Sequence, residues 1–153
     1  MAEIRQADEL DLPRLMELGR AMHAEAPTFR GLDFDAAKVE ATLRHAMNQG
    51  LVLVHVDDEG RIDGGFVGVI VERWFSRSEL FTDLALFVEP TRRGGFTACR
   101  LLRRVVAWCK ERGLKPEDVQ LGVSTGVHAE ETGRLFEKLG FERFGGLYRL
   151  RGF

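Results

Sequence analysis

The sequence predicts an α/β (α+β) fold in which a mixed central sheet of about six to seven strands is flanked by four helices. The chain has 153 residues and 44% apolar content, which suits one domain, spanning residues 1–153, with one substantial core. Strand-like and helical hydrophobic periods alternate in the order β-α-α-β-β-β-α-β-α-β-β. One predicted strand is followed by a pair of glycines, Gly94-Gly95, and then by a helical pattern that starts near Ala98.

The N-terminal third predicts a short strand followed by two helices. Residues 3–7 are extended, and Asp11 with Pro13 behind it predicts the N-cap and first turn of a helix. After a loop rich in turn residues, Asp35 predicts the N-cap of a second helix, which ends at Gly50.

From Leu51 onward the hydrophobic period changes from helical to strand-like. The pattern predicts a hairpin and a further strand, over residues 51–56, 62–74 and 80–88. A third helix follows over about 98–112, because its apolar residues recur at helical spacing. The remaining elements are a strand over 119–124, a helix over 130–139 and a final pair of strands over 141–150 that turn at Gly145-Gly146.

Composition excludes several classes of function. A net charge of −2 and a pI near 6.1 give no electrostatic basis for binding nucleic acid. Cys99 and Cys109 lie ten positions apart on one predicted helix and cannot pair, and no Cys/His group has metal-ligand spacing. The first residues lack the pattern of a signal peptide, and no apolar run approaches membrane-spanning length. We therefore expect a cytoplasmic protein with no metal and no membrane contact.

The strongest functional signal is the stretch Arg93-Gly94-Gly95-Phe96-Thr97-Ala98, which joins a strand to a helix. Glycines allow a ligand to approach the backbone closely, and the free N–H groups of a helix N-terminus stabilise an anion. The motifs of dinucleotide and nucleoside triphosphate sites do not occur in the expected places. The sequence thus predicts a site for a different phosphorylated ligand, and the alternative is a turn whose glycines serve sterics alone.

Three motifs in this order carry a resemblance to a known family. They are Val88-Glu89-Pro90, Arg93-Gly94-Gly95-Phe96-Thr97-Ala98 and Glu137-Lys138-Leu139-Gly140-Phe141. With them the chain resembles the GNAT superfamily of N-acetyltransferases over essentially its whole length, in particular a phage-like and bacterial branch with an Arg-Gly-Gly loop. Phe96 departs from the pattern, because it stands where the family usually has its middle glycine. We expect the neighbouring Gly95 to supply the conformational freedom of that glycine instead.

The resemblance implies an enzyme that moves the acetyl group of acetyl-CoA to a primary amine by direct attack. It implies that the backbone N–H groups of Arg93, Gly94, Gly95, Phe96, Thr97 and Ala98 hold the pyrophosphate. Val88 would bind the pantetheine through its main chain, and the N–H of Phe87 or Val88 would stabilise the oxyanion. The acceptor is a small molecule or a protein amino group.

Asp83 is the predicted general base, because it stands on the strand that carries the base in several family members. It lies five residues before Val88, and strict alternation places it on the face opposite Leu86 and Val88. Glu79 is a second candidate. Asp83 has two alternative roles, as a solvated strand carboxylate or as an ion-pair partner of the arginines after the strand.

The usual general acid is missing, because Phe136 stands where many family members have a tyrosine. The chain's one tyrosine, Tyr148, is a candidate for this role, with strand packing as the alternative. Ser124, Thr125 and His128 form a second set of candidates in the loop before the fourth helix, where Ser and Thr can instead serve as caps. A thiol with a pKa of about 8.5 is a tolerable leaving group without an acid.

Two further alternatives remain open at this level. The missing tyrosine and the altered glycine pattern also suit a catalytically impaired CoA-binding module that acts as a sensor or binds a partner. The apolar C-terminal strand over 146–150 forms an exposed edge that can pair between subunits, which makes a homodimer an alternative to a monomer.

Overall fold

A computed structural model describes residues 1–153. The chain forms five strands and four helices. The strands are β1 (Glu3–Gln6), β2 (Leu51–Val56), β3 (Ile62–Glu72), β4 (Glu79–Val88) and β5 (Val119–Gln120). The helices are α1 (Leu12–Glu25), α2 (Ala36–Gln49), α3 (Thr97–Glu111) and α4 (Ala129–Lys138).

The strands form one mixed, open sheet in the order β1-β2-β3-β4-β5. Strands β1 to β4 pair antiparallel, whereas β4 and β5 are parallel. Their pairing is limited to Phe81 with Val119 and Thr82 with Gln120. A parallel neighbour requires a crossover, which α3 provides. The predicted class, the mixed sheet and the four helices are therefore confirmed.

The predicted number of six to seven strands is wrong, because residues 141–150 form no strands. The predicted fifth strand is also shorter than expected and ends at Gln120. An isolated hairpin is marginal in water and needs a sheet edge on which to dock. Strand β5 is only two residues long, so the C-terminal segment has no sheet edge long enough to pair with, despite its glycine turn and apolar alternation.

The core has two layers, one on each face of the sheet. One face packs against α1 and α2, and the other against α3 and α4. Strand β2 shows the division, because Val52 and Val54 belong to the first layer and Leu51 and Leu53 to the second. A strand that is buried on both faces has no polar alternation, which explains the apolar run Leu51–Val54 of β2.

The two predicted helix caps differ in outcome. The Asp35 side chain accepts a hydrogen bond from the Lys38 backbone N–H at 3.0 Å and caps α2 as predicted. Asp11 precedes α1, but its side chain makes no cap bond to that helix. Its carboxylate instead accepts from the Arg5 guanidinium and from the Asp8 backbone N–H. The Arg5 hydrogen bond lowers the pKa of Asp11 from its usual value, against the effect of burial.

Strand β4 carries a bulge that changes its alternation. Val67 pairs with Ala85 and Gly68 with Asp83, so Leu84 has no partner on β3. As a result Phe81 and Val88 belong to the same core layer, although strict alternation would place them on opposite faces. The predicted opposition between Asp83 and the Leu86–Val88 face therefore does not apply across the bulge.

Both cysteines are free, as the helical spacing predicted. Cys109 is buried in the core layer beneath α3, and burial raises the pKa of its thiol to about 11. None of the helices combines the length and apolar character that crossing a membrane requires.

Candidate functional site

The site lies along the edge of β4 that β5 leaves unpaired. Beyond Thr82, no residue of β4 pairs with β5. Two cavities of about 70 Å³ each open on this edge, one at the Val88 end and one around Asp83. We call them the loop cavity and the cleft. The loop cavity is lined by Val88, Arg92, Arg93, Gly94, Gly95, Thr97 and Ala98.

The cleft has a different lining. Asp83 is its one ionisable side chain, and Ser124, Thr125 and Thr132 supply hydroxyls beside Gly122. The remaining lining residues are apolar: Met22, Leu84, Ala85, Leu86, Val123, Val127 and Phe136. The structure thus brings together most of the residues that the sequence assigned to the coenzyme at one end, and Asp83 with Ser124 at the other.

The loop cavity contains the N-terminus of α3, which has no side-chain cap. Phe96 occupies the N-cap position with its ring 80% exposed, and the first turn has no acidic side chain. Gly94 has a φ of +88°, a conformation that favours glycine. Gly95 has no such constraint, and a Cβ there would meet no atom within 4 Å. The fold therefore does not itself require Gly95, whereas a ligand that approaches the backbone would.

The Arg93 side chain turns away from the loop and into the protein. Its Nε donates to the Val88 carbonyl at 2.8 Å, and its two terminal nitrogens each donate to a Glu25 oxygen at 2.7 Å. The guanidinium also lies 5.1 Å from the centre of the Phe87 ring. This hydrogen-bonded pair lowers the pKa of Glu25 from its ordinary value. Arg93 thereby ties the loop to β4 and to the end of α1.

Further ion pairs attach the strand end and the loop to the β2–β3 hairpin. Glu89 pairs with Arg61 at 2.9 Å and also with Arg14. Arg92 lies 3.3 Å from the buried carboxylate of Asp57. The two arginines after β4 are thus engaged with Asp57 and Glu25, so neither is the ion-pair partner that the sequence offered as an alternative for Asp83.

A buried polar pair lies next to the α3 side of the hairpin and was not found from the sequence. His55 Nδ1 lies 2.5 Å from Asp63 Oδ1, and both side chains are almost fully buried. On its other side, His55 Nε2 lies 3.4 Å from the Arg100 guanidinium on the second turn of α3. The sequence did contain a signal for this pair, namely one histidine and one aspartate in strands that are otherwise apolar. Because buried polar side chains need hydrogen-bond partners, two such residues are expected to bond to each other.

Asp83 is the unusual ionisable group of the site. Its Oδ1 accepts a hydrogen bond from the Gly122 backbone N–H at 2.9 Å, and no cation pairs with it. Burial raises the pKa of its carboxyl from 3.8 to about 6, against the smaller lowering effect of backbone hydrogen bonds. A carboxyl with a pKa near 6 is mostly ionised at neutral pH and remains a competent proton acceptor.

Contacts between two loops close one side of the cleft. The Thr28 hydroxyl donates to the Ser124 carbonyl, and the Thr28 backbone N–H donates to the Thr125 carbonyl at 3.3 Å. Gly126 next to this contact has a φ of +77°, and a Cβ there would lie 3.0 Å from the Thr28 methyl group. The segment after α1 is thereby fixed over the segment after β5.

Several predicted residues lie away from the two cavities. Tyr148 is 97% exposed on the C-terminal segment, and Glu79 is an exposed residue at the start of β4. His128 precedes α4 and does not line the cleft. Phe87 is buried with its side chain in the α1 and α2 layer. Thr132, which the sequence did not suggest, lines the cleft one helical turn before Phe136.

No group of three or more histidine, cysteine or acidic side chains is arranged to hold a metal ion. The polar groups that converge on the site are the backbone N–H groups of the loop, the Asp83 carboxylate and the three hydroxyls of the cleft. This set can bind an anion at one end and accept a proton at the other.

No family model matches the sequence, and no curated protein matches it. Several solved structures with the same fold are acetyltransferases. A predicted acetyltransferase of Clostridium acetobutylicum, determined with acetyl-CoA, is 17% identical with a TM-score of 0.72, over 99% of this chain and 96% of that one. AAC(6')-Iy, bound to the bisubstrate analogue CoA-S-monomethyl-acetylneamine, is 18% identical with a TM-score of 0.74, over 99% and 98%.

A third similar structure is the aminoglycoside acetyltransferase meta-AAC0020 from an uncultured soil metagenomic sample, in complex with sisomicin. It is 20% identical with a TM-score of 0.68, over 99% of this chain and 97% of that one. At these identities the likeness establishes a shared fold, and it extends over nearly the full length of each protein.

Proposed function

We propose that the protein is an N-acetyltransferase that moves the acetyl group of acetyl-CoA to a primary amine, with residues 1–153 as its single domain. The observation that carries this proposal is the pair of cavities on the free edge of β4. One end has a helix N-terminus without a side-chain cap that can bind an anion, and the other holds a partly buried carboxylate with a pKa near 6. The acetyltransferases of the same fold support the assignment.

The loop fits a pyrophosphate in three respects. The α3 N-terminus has no side-chain cap, no acidic residue stands in its first turn, and open space lies over Gly95. Backbone N–H groups and the helix dipole would then stabilise the two negative charges. We assign the binding to the backbone of Arg93, Gly94, Gly95, Phe96, Thr97 and Ala98, with the Arg93 side chain acting as a support.

The hydrogen-bond pattern between β3 and β4 favours Val88 over Phe87 for the backbone contacts to the thioester end of acetyl-CoA. The Glu89 N–H donates to the Asp63 carbonyl on β3 at 2.8 Å, and peptide groups alternate in direction along an antiparallel strand. The Val88 peptide groups therefore face the free edge. Since the Val88 carbonyl already accepts from Arg93, we propose that its N–H stabilises the oxygen on which negative charge develops.

Acetyl-CoA supplies an acetyl group activated as a thioester. The amine nitrogen attacks the carbonyl carbon, a C–N bond forms, and the C–S bond breaks to release a thiolate. Asp83 accepts the proton that the nitrogen must lose, directly or through one water. The Gly122 N–H holds the carboxylate in place while leaving its second oxygen available.

The departing thiolate has no tyrosine beside it, because Phe136 lines the cleft without a hydroxyl. We propose Ser124 as the hydroxyl that interacts with the sulfur, with Thr132 on α4 as a second candidate. Tyr148 is a weaker candidate, because nearly all of its side chain faces solvent. A thiol with a pKa of about 8.5 also leaves without assistance.

The nature of the acceptor remains part of the proposal. Two of the similar structures contain sisomicin or an acetylneamine analogue, which supports a small-molecule amine over a protein amino group. The second candidate function, a CoA-binding sensor without turnover, is favoured only by the missing hydroxyl at Phe136. A homodimer stays a prediction, for which the support is now the exposed apolar side chains of Leu147, Tyr148 and Leu150.

Calorimetric titration of acetyl-CoA into the wild type and the Gly95→Asp variant tests the proposal. We expect binding by the wild type and a loss of about 100-fold or more in the variant, because an added carboxylate would face the pyrophosphate. Gly145→Asp is the matched control, since Gly145 is exposed, equally unobstructed and remote from both cavities. Absence of binding by the wild type would refute the proposal, and binding without turnover on any amine would favour the sensor.

A further inference from the structure

We infer that the acceptor is a primary monoamine whose single amino group is carried on an apolar chain or ring. This inference rests on the proposed function and specifies the class of amine. It is drawn from the distribution of charge and apolar surface in and around the cleft, beginning with Asp83 as the cleft's one ionisable side chain.

The lining of the cleft provides for one positive charge. Seven of its twelve residues are apolar, and Asp83 is the one that can carry a negative charge. Because no arginine or lysine neutralises Asp83, an amine that enters the cleft as its cation would be the first cation to pair with it, and it must lose one proton before its nitrogen can attack. The apolar walls formed by residues such as Leu86 and Val123 then suit the carbon skeleton next to that amine.

A second ammonium group would find no second carboxylate in the lining of the cleft. Glu25, three residues after the lining residue Met22 on α1, is already bonded at both oxygens by Arg93. On the Thr28 side, the guanidinium of Arg149 donates to the Thr28 carbonyl, which places a further positive charge at the closed side of the cleft. Burying an uncompensated charge against apolar walls is unfavourable, so polyamines are disfavoured.

The region behind the cleft extends the apolar character of this end. Met22 lines the cleft, and the next residue on α1, His23, packs between the rings of Phe29 at 5.9 Å and Phe34 at 5.5 Å. Arg20 lies over the outer ring of this cluster, 4.7 Å from the centre of Phe34. The segment between α1 and α2 therefore contributes the rings of Phe29 and Phe34 to this region, and none of its carboxylates lines the cleft.

The test compares two amines that differ by one charge. Hexylamine and 1,6-hexanediamine have the same chain length, and kanamycin represents a polyamine sugar. At saturating acetyl-CoA, followed by the release of free thiol, we expect hexylamine to have a kcat/KM at least 10-fold above that of the diamine and kanamycin. A diamine or kanamycin that is used as well as hexylamine, or better, would overturn the inference and leave the proposed function intact.

A pair of variants tests whether the cleft lining causes this preference. Val127→Asp adds a second carboxylate to the cleft and should reduce the ratio of hexylamine to diamine kcat/KM by about 5-fold or more. Val106→Asp makes the same change on the exposed side of α3, outside both cavities, and should leave the ratio unchanged. An unchanged ratio in Val127→Asp would count against the inference. Turnover on no amine at all would instead count against the proposed function, while calorimetry reports acetyl-CoA binding separately.

Discussion

The two ends of the free β4 edge use charge in opposite ways. At the Val88 end, charged side chains are paired with one another: Arg93 with Glu25, Arg92 with Asp57, and Glu89 with Arg14 and Arg61. At the Asp83 end, one carboxylate stands among apolar side chains with a backbone N–H as its protein partner. The charged side chains of the first end thus hold a loop in place, whereas the one carboxylate of the second end has no cationic side chain as a partner.

This contrast explains how a loop without a side-chain cap can be ordered. In the proposed site the backbone N–H groups of the α3 N-terminus must stay available to an anion, so the loop has to be fixed by its side chains. Arg93 and Arg92 line the loop cavity and provide this support, because their guanidinium groups pair with carboxylates on α1 and on the β2–β3 hairpin. Preorganisation of this kind favours ligand binding, since little ordering remains to be done.

Asp83→Asn should have the largest effect, because it removes the one proton acceptor of the cleft. We expect kcat/KM for the amine to fall by about 10²- to 10³-fold, within the range of general base catalysis. The KM for acetyl-CoA should change little, since the loop is intact. Steady-state kinetics with both substrates would check this split, with the exposed Asp58→Asn as the matched control. A fall of less than about threefold would remove Asp83 from the mechanism.

The pKa of Asp83 also sets the expected pH dependence. Since the base must be ionised, kcat/KM should rise with pH through about 6 in the wild type, and this limb should vanish in Asp83→Asn. A wild-type profile without an inflection near 6 would contradict the assignment.

The same substitution should stabilise the fold at neutral pH. Burial raises the pKa of Asp83 from 3.8 to about 6, so the folded state binds this proton more tightly than the unfolded state. Stability from this group is present below about pH 4 and is lost as the pH rises to about 6. Asp83→Asn should therefore raise the free energy of unfolding at pH 7 by up to about 3 kcal/mol, measured by urea denaturation. Equal stability of the two proteins at pH 7 would indicate a normal pKa.

Arg93→Ala probes the other end of the edge. The variant loses the paired hydrogen bonds to Glu25 and the bond to the Val88 carbonyl, so the loop should become less ordered. We expect the KM for acetyl-CoA to rise about tenfold with little change in the amine KM, and the fold to lose about 1–2 kcal/mol. Glu25→Ala should reproduce part of this change, and a double-mutant cycle would measure the coupling. Independent, additive effects of the two variants would contradict a shared support role.

The order of the elements as far as α4 and the position of the glycine loop over residues 93–98 could be predicted from the sequence, because they depend on local period and on glycine. Asp83 was proposed instead from the family resemblance, and its role stays a prediction. The bulge at Leu84 could not be predicted, since it depends on the register between β3 and β4. The same holds for the inward turn of Arg93, whose partner Glu25 is 68 positions away in the sequence.

The C-terminal segment shows the limit of local reasoning most clearly. Its alternation and its Gly145-Gly146 pair predicted two strands, but strand formation depends on a neighbouring edge that the sequence does not display. Thr132 was missed for a related reason. It became a candidate only when α4 was placed against the cleft, because a threonine on a helix carries no signal of its own.

Asp63→Asn should act mainly on stability. The variant replaces the buried carboxylate beside His55 with an amide and so weakens a short hydrogen bond in the β2–β3 hairpin. We expect the free energy of unfolding to fall by about 1–3 kcal/mol. The acetyl-CoA affinity should fall by a few-fold at most, because the His55 ring beside Arg100 would be held less firmly. Thermal unfolding and calorimetry together would check this. An affinity loss that exceeds that of Arg93→Ala would assign the pair a direct role in coenzyme binding.

Phe136→Tyr should have the smallest effect and tests whether the cleft lacks an acid. The ring lines the cleft and is 9% exposed, and it packs 5.9 Å from the ring of Phe141. A hydroxyl added there can protonate the departing sulfur only if the ring edge faces the cleft. We expect kcat to rise by about two- to fivefold at pH 7, with no change in KM for acetyl-CoA. An unchanged kcat would mean that loss of the thiolate does not limit the rate. In that case we expect Ser124→Ala to leave kcat unchanged as well.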